Sequence, residues 1–119
     1  MSRRTVEAAA LRCEDARQIA RHVLAEERSE RVDDVLVIVS ELVSNAVRHA
    51  GGVTGFTVRR DGATVVVEVA DASPEHPRSP GTAPDVPGGF GWMLVNRLAA
   101  RVEIDSGPGG KTITVFLAV

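Results

Sequence analysis

The sequence predicts an α+β fold, a two-layer sandwich in which a mixed, mostly antiparallel sheet carries helices on one face. Three observations support this prediction. Residues 31–50 have the spacing of an amphipathic helix, the dipeptide Asp61-Gly62 separates two β-rich runs, and two further strand-like runs close the chain. The predicted order along the chain is strand, helix, helix, hairpin, long loop, helix and two strands.

The length, charge and cysteine content restrict the class of protein. With 119 residues, the chain is long enough for a single domain over residues 1–119, and its net charge of -2 argues against nucleic acid as the main partner. Cys13 is the only cysteine, which excludes an intramolecular disulfide and a cysteine-based metal site. No apolar run is long enough to span a bilayer or to form the core of a signal peptide. We therefore expect a cytoplasmic protein that does not bind a membrane.

The first half of the chain is predicted to contain one short strand and two helices. The strand is weakly patterned and covers Arg4–Ala9. Apolar residues at helical spacing predict a first helix from Glu14 to about Glu27, followed by a break at which Ser29 is a candidate N-cap. The second helix runs from about Arg31 to Ala50 and ends at Gly51-Gly52, a strong stop signal.

The second half is predicted to contain a hairpin, a long loop, a helix and two strands. An Asp-Gly dipeptide between β-rich runs is a strong hairpin signal. The predicted ranges are Val53–Arg60 and Ala63–Asp71 for the hairpin strands, Trp92 to about Ala100 for the helix, and Arg101–Ser106 and Lys111–Val119 for the last two strands.

Residues 72–89 form a stretch rich in proline and glycine between the hairpin and the last helix. An unstructured loop of this length inside so small a domain is typical of a functional lid. A linker between domains would have the same composition. However, the segments on its two sides need each other to complete one core, so a domain boundary here is disfavoured.

Three polar side chains share one face of the helix predicted over residues 31–50. Glu41, Asn45 and His49 are four residues apart, so they lie on successive turns. A solvent-exposed face would explain this spacing too, but such faces are usually rich in Lys and Glu. A carboxylate can polarise a hydroxyl group or a water molecule. An amide oxygen can complete the oxygen shell of a Mg2+ ion that also holds phosphates.

Two further positions are candidates for binding. Asp71 ends the second hairpin strand on the same face as Val65, Val67 and Val69, where a carboxylate either caps a turn or forms the floor of a pocket. Gly89-Phe90-Gly91 precedes the last predicted helix. Glycines in this position let backbone N–H groups bind an anion, although glycine is also an ordinary way to enter a helix.

Four separated motifs occur in the order that is typical of one family. They are Glu41–Ala50 (ELVSNAVRHA), Asp71–Pro74 (DASP), Gly89–Gly91 (GFG) and Gly109–Thr112 (GGKT). Together they make the chain resemble the GHKL ATPase superfamily, which includes the ATP domains of gyrases, heat-shock chaperones, mismatch-repair proteins and histidine kinases. Within it, the chain is most similar to the small anti-sigma-factor serine kinases and related actinobacterial regulators, and the resemblance covers nearly the whole chain.

The resemblance implies a role for each residue of the first motif. Glu41 would be the general base, and Asn45 would bind ATP through Mg2+ as a metal ligand. His49 would either contact ATP or cap the helix end against the sheet.

The other three motifs are implied to bind the nucleotide directly. Asp71 would accept a hydrogen bond from the adenine amino group, and Ser73 stands in the same motif where larger relatives have glycine. Gly89 and Gly91 would cradle the phosphates at the far end of the lid over residues 72–89. Thr112 would support the adenine pocket.

The resemblance implies an ATP- and Mg2+-dependent protein serine/threonine kinase. Its substrate would be a small anti-sigma-factor antagonist, and a sigma factor would be a second partner, so that the protein controls transcription. Relatives in this branch often form homodimers, and the short N-terminal strand offers an edge for pairing. The alternative is a catalytically silent ATP-binding module that acts by binding partners, but Glu41 and Asn45 favour the enzyme.

Overall fold

The chain forms five strands and three helices within residues 3–6, 11–25, 31–75 and 89–119, the part that a computed structural model describes. The elements follow the predicted order, and the predicted α+β class is confirmed. Their bounds are β1 Arg3–Val6, α1 Cys13–Val23, α2 Arg31–Ala50, β2 Val53–Asp61, β3 Thr64–Asp71, α3 Gly89–Leu98, β4 Arg101–Gly107 and β5 Gly110–Ala118.

The five strands form one sheet in the order β1-β2-β3-β5-β4. Each neighbouring pair is antiparallel, so the sheet in the described part of the chain is wholly antiparallel rather than mixed. The β2–β3 turn lies one residue later than predicted, because Asp61 pairs with Thr64 and leaves Gly62 and Ala63 as the loop. Gly62 has a φ of 62°, as the first position of a II′ hairpin turn requires.

The core lies between the helices and one face of the sheet. Val65, Val67 and Val69 alternate along β3 toward this face, and the helix α2 covers it with an apolar stripe. None of the described helices is long and apolar enough to cross a membrane. The buried residues of α2 are Val35, Ile38, Val39, Leu42, Val43 and Ala46.

Some element ends differ from the predicted ones. The helix α3 begins at Gly89, three residues before the predicted start at Trp92, because glycine is tolerated in a first turn that packing stabilises. The helix α1 ends at Val23, with Leu24 as its C-cap, about four residues before its predicted end at Glu27. The predicted end of β1 and the N-cap at Ser29 fall on residues 7–10 and 26–30, outside the described part of the chain. Most of the predicted lid, residues 76–88, also lies outside it.

Arg31 connects the start of α2 to two other elements. Its Nε donates to the Ala118 carbonyl at 2.9 Å, and its Nη2 donates to the Leu98 carbonyl at 3.1 Å. Its Nη1 lies 2.6 Å from Asp34 Oδ2. The Leu98 carbonyl belongs to the last turn of α3, where carbonyl groups have no partner within the helix. This one guanidinium group therefore fixes α2 against α3 and the end of β5.

Gly110 allows β5 to approach the end of β3. It has a φ of 141°, which side-chain-bearing residues rarely adopt. A Cβ atom at this position would overlap the Asp71 carbonyl oxygen and lie 3.0 Å from Ala72 Cα. Both neighbouring groups are backbone, so they cannot rotate away. Glycine is therefore required where the two strands meet.

We expect Gly110→Ala to lower the free energy of unfolding by more than about 2 kcal/mol, since backbone strain and steric overlap add. Gly109→Ala is the matched control, because a Cβ at position 109 meets nothing within 4 Å. Urea denaturation of both variants checks this. An equal loss of stability in the two variants would contradict the packing at Gly110.

Candidate functional site

The helix α2 presents Glu41, Asn45 and His49 on the side opposite to its buried stripe, as predicted. Glu41 and Asn45 are half-buried, whereas His49 is exposed in the last turn. A basic side chain in a last turn suits the negative end of the helix dipole, which agrees with the capping interpretation of His49. The structure therefore separates a partly covered pair, Glu41 and Asn45, from a peripheral histidine.

The Glu41 side chain lies against the first turn of α3. A Cβ atom on Gly91 would overlap Glu41 Oε2 and lie 2.7 Å from its Cδ, so glycine leaves room for the carboxylate in this position. Gly91 is the third residue of α3, and the first N–H groups of a helix have no partner within it. Negative charge is stabilised at this end of a helix. The predicted base and the predicted phosphate motif are thus in direct contact.

The Asp71 side chain is buried at the end of β3 and forms an ion pair that the sequence analysis did not predict. Lys111 Nζ lies 2.9 Å from Asp71 Oδ2 and 3.0 Å from Oδ1, and the two side chains are 2–3% exposed. The two residues are direct partners in the β3–β5 register. Burial of two charges is costly, and their mutual attraction offsets this cost.

Ser73 completes the surroundings of this pair. Its backbone N–H donates to Asp71 Oδ1 at 2.9 Å, and its carbonyl accepts from Lys111 Nζ at 3.2 Å. Asp71 therefore caps the turn that follows β3, as the first of its two interpretations predicted. Its position as the floor of a pocket is compatible with this capping, because its Oδ2 accepts from Lys111 and from no other group in the described part of the chain.

Thr112 is next to Lys111 in β5 but does not belong to the inward row of this strand. Lys111, Ile113, Val115 and Leu117 form the buried row of β5, so Thr112 lies on the opposite face of the sheet. Strand alternation places Lys111 inward instead, and the role of Thr112 in an adenine pocket stays a prediction. The same alternation, read from the sequence, could have identified Lys111 as an inward-facing residue but not as the partner of Asp71.

Thr112 lines an open cavity of about 350 Å³ at the end of the sheet, and Asp71 and Lys111 line the same cavity. Neither Glu41 nor Gly91 lines this cavity. Its lining includes Ala70 and Asp105, which share the outward face with Thr112 in the strand register. It is therefore separate from the contact between α2 and α3.

The described residues form two parts of one candidate site. The first is the contact of Glu41 with Gly91, with Asn45 one turn further along α2. The second is the cluster of Asp71, Ser73 and Lys111. Within the described ranges, no group of three or more His, Cys, Asp or Glu side chains is arranged to hold a metal ion. Any cation here would therefore need oxygen atoms from a ligand as well as from the protein.

The sequence matches the family of histidine kinase-like ATPase domains over residues 5–117. The chain belongs to this family. Its membership implies that the domain binds ATP, and both parts of the candidate site lie on residues of the family motifs. A comparison with curated proteins found no match.

Two solved structures show the same fold. One contains the RsbU and RsbW domains of Rv1364c from Mycobacterium tuberculosis, with a TM-score of 0.71, 21% identity, and coverage of 99% of this chain and 32% of that one. The other is the histidine kinase domain of the blue-light activated histidine kinase EL346 from Erythrobacter litoralis, with a TM-score of 0.55, 16% identity, and coverage of 94% and 63%. This chain thus spans less than two thirds of the length of either structure.

The buried pair should show strong energetic coupling. We expect Asp71→Asn and Lys111→Met each to lower the free energy of unfolding by about 3 kcal/mol, because each leaves one buried charge without its partner. The double variant should recover about 1–3 kcal/mol relative to the sum of the single losses. Chemical denaturation of the four proteins in this cycle measures the coupling.

The matched control is the ion pair of Arg101 and Glu103, whose side chains are 61% and 58% exposed and 3.7 Å apart. Its coupling should be below about 1 kcal/mol, since solvent screens exposed pairs. Equal coupling in the two cycles would show that burial does not strengthen the pair of Asp71 and Lys111.

Proposed function

We propose that this domain is an ATP-dependent protein serine/threonine kinase of the anti-sigma-factor type. Its substrate is a small anti-sigma-factor antagonist, which it phosphorylates on a hydroxyl side chain, and it also binds a sigma factor. The observation that carries the proposal is the contact between the Glu41 carboxylate and the backbone at Gly91. It joins a group able to accept a proton to a helix N-terminus able to bind phosphate.

Glu41 would act as the general base. A base must lie within hydrogen-bond reach of the hydroxyl group that it activates, and that hydroxyl must approach the terminal phosphate. A carboxylate at the first turn of α3 is close to the phosphates if they bind at the same turn. Glu41 is half-buried rather than enclosed, so a partner protein can present a serine to it.

The residues at this end also fit a magnesium ion. Asn45 lies one turn beyond Glu41 on the same face of α2 and offers an amide oxygen, a ligand that suits a hard cation. When bound, Mg2+ would supply positive charge that stabilises the negative charge of the phosphates. Asn45 would then hold the ion, while the backbone N–H groups near Gly89 and Gly91 would orient the phosphates.

The partners follow from the family resemblance, and the likeness to a structure that contains an RsbW domain supports them. Partner and nucleotide would each change the affinity of the other, because binding free energies are linked. A homodimer paired at a sheet edge is part of the same proposal, and β1 is an edge strand. Cytoplasmic location follows from a role in transcription.

The test is phosphoryl transfer from labelled Mg-ATP to a candidate antagonist protein. We expect Glu41→Ala to retain ATP affinity and to lower the rate of transfer by about 10²–10⁴-fold, the usual contribution of a general base. Glu68→Ala is the matched control, because Glu68 is a half-buried carboxylate on the opposite face of the sheet. Transfer by Glu41→Ala at the wild-type rate would refute the base assignment. ATP binding without transfer by the wild type to any antagonist would favour the silent regulatory module.

A second variant tests the position of the carboxylate. We expect Gly91→Ala to slow transfer by about tenfold or more, because a new Cβ displaces the end of the Glu41 side chain. Thermal unfolding should change little, since this side chain can rotate away. In the Glu41→Ala background, Gly91→Ala should have no further effect on transfer. Additive losses in the double variant would show that Gly91 acts independently of Glu41.

A further inference from the structure

The cluster around Asp71 contains a buried cation that the proposed mechanism does not use. Lys111 occupies an inward position of β5, in the same row as Ile113, Val115 and Leu117. Strand alternation there would accommodate an apolar side chain, and replacing a buried ion pair by apolar residues often leaves stability unchanged or higher. Core packing alone therefore does not explain a lysine at this position.

The hydrogen bonds of Lys111 place a donor immediately beside the Asp71 carboxylate. Its Nζ is shared among three acceptors, Asp71 Oδ1 and Oδ2 at 3.0 and 2.9 Å and the Ser73 carbonyl at 3.2 Å. The contact with Ser73 is the longest and lies on the side where residues 72–75 leave the sheet. A ligand oxygen can replace this contact without breaking the ion pair.

A carboxylate alone and a carboxylate with an ammonium group select different purines. A carboxylate accepts from the 6-amino group of adenine but repels the 6-oxo group of guanine or hypoxanthine. With an ammonium group beside it, the same carboxylate can accept from the protonated N1 of a 6-oxopurine while the ammonium donates to O6. The pair also suits adenine, whose amino group donates to the carboxylate and whose N1 accepts from the ammonium.

We infer that Lys111 is a specificity-determining residue that lets this site accept 6-oxopurine nucleotides as well as ATP. The inference rests on the proposed nucleotide site, in which Asp71 faces the base, but not on phosphoryl transfer. Lys111 donates to the base, Asp71 accepts from it, and Gly110 and Ser73 hold the pair in place through the backbone.

The experiment compares the dissociation constants of ATP and inosine triphosphate, measured by calorimetry with Mg2+ present. The two nucleotides carry the same triphosphate and differ at position 6 of the base and in the protonation of N1, so their ratio reports on the base alone. We expect wild type to bind inosine triphosphate no more than about tenfold more weakly than ATP, since the pair forms two hydrogen bonds with either base. In Lys111→Met this ratio should rise at least about fivefold.

Lys111→Thr is a second variant for the same test, in case Lys111→Met does not fold. Its hydroxyl group is able to donate to Asp71 but is too short to reach a base, so the same rise in the ratio is expected. Arg101→Met is the matched control, because it removes a charge stacked on Phe116 at the outer face of the sheet and should leave the ratio unchanged.

Strong rejection of inosine triphosphate by the wild type would overturn the inference, as would a ratio that rises less than fivefold in the folded Lys111 variants. Loss of binding of both nucleotides in those variants would show a structural role for Lys111 and would also overturn the inference. Absence of any nucleotide binding to the wild type would overturn it together with the proposed ATP site. If the ratios of the two dissociation constants are as expected but no phosphoryl transfer occurs, only the kinase proposal is refuted.

Discussion

The packing of α2 on the sheet is the constraint on which the rest of the structure depends. The helix buries one apolar stripe against β2, β3 and β5, so its opposite side is fixed in direction. That side carries Glu41 and Asn45, and Glu41 contacts α3 at Gly91. Rotation of α2 by one residue would bury the carboxylate and expose a valine. Hydrophobic burial therefore determines the direction in which the polar side chains of the site point.

Two close approaches of backbone, each permitted by a glycine, hold the two parts of the site. At Gly91, the absence of a side chain lets a carboxylate lie on the first turn of α3. At Gly110, it lets β5 meet the Asp71 carbonyl and so brings Lys111 beside the Asp71 carboxylate. The two glycines differ in what they contact. Gly91 is approached by the end of a flexible side chain, which can move away. Gly110 is approached by backbone atoms, which cannot.

The sequence predicted most of the fold because its signals were local. The 3.6-residue period of α2, the glycines at its end and the turn signal at Asp61-Gly62 each depend on neighbouring residues. The structure contains the helix, its end at the glycines and the hairpin, whose turn lies one residue later. The start of α3 was predicted late because packing against α2, which is not local, overrides the low helix propensity of glycine. The all-antiparallel pairing also depends on contacts between distant strands.

The site was predicted less completely, for a different reason. The spacing along α2 and the order of the motifs indicated Glu41, Asn45 and Asp71 from sequence. The partner of Asp71 depends on the β3–β5 register, which pairs residues 40 positions apart and which no local pattern reveals. Motif matching assigned the supporting role to Thr112, whereas strand alternation assigns the inward position to Lys111. Where a motif match and strand alternation disagree, the alternation determines which side chain points toward the core.

The two ends of the site also differ in charge, and this difference bears on how the proposed kinase would be regulated. At the base end, Asp71 and Lys111 neutralise each other within the chain, so a neutral base enters a neutral environment. At the phosphate end, the Glu41 carboxylate already occupies the anion-binding turn of α3. Phosphates that bind there must displace a like charge, which only the end of a flexible side chain can accommodate. On the proposed mechanism, only the carboxylate end of Glu41 would therefore shift to admit the phosphates, and it would stay beside Gly91, within reach of the incoming hydroxyl group.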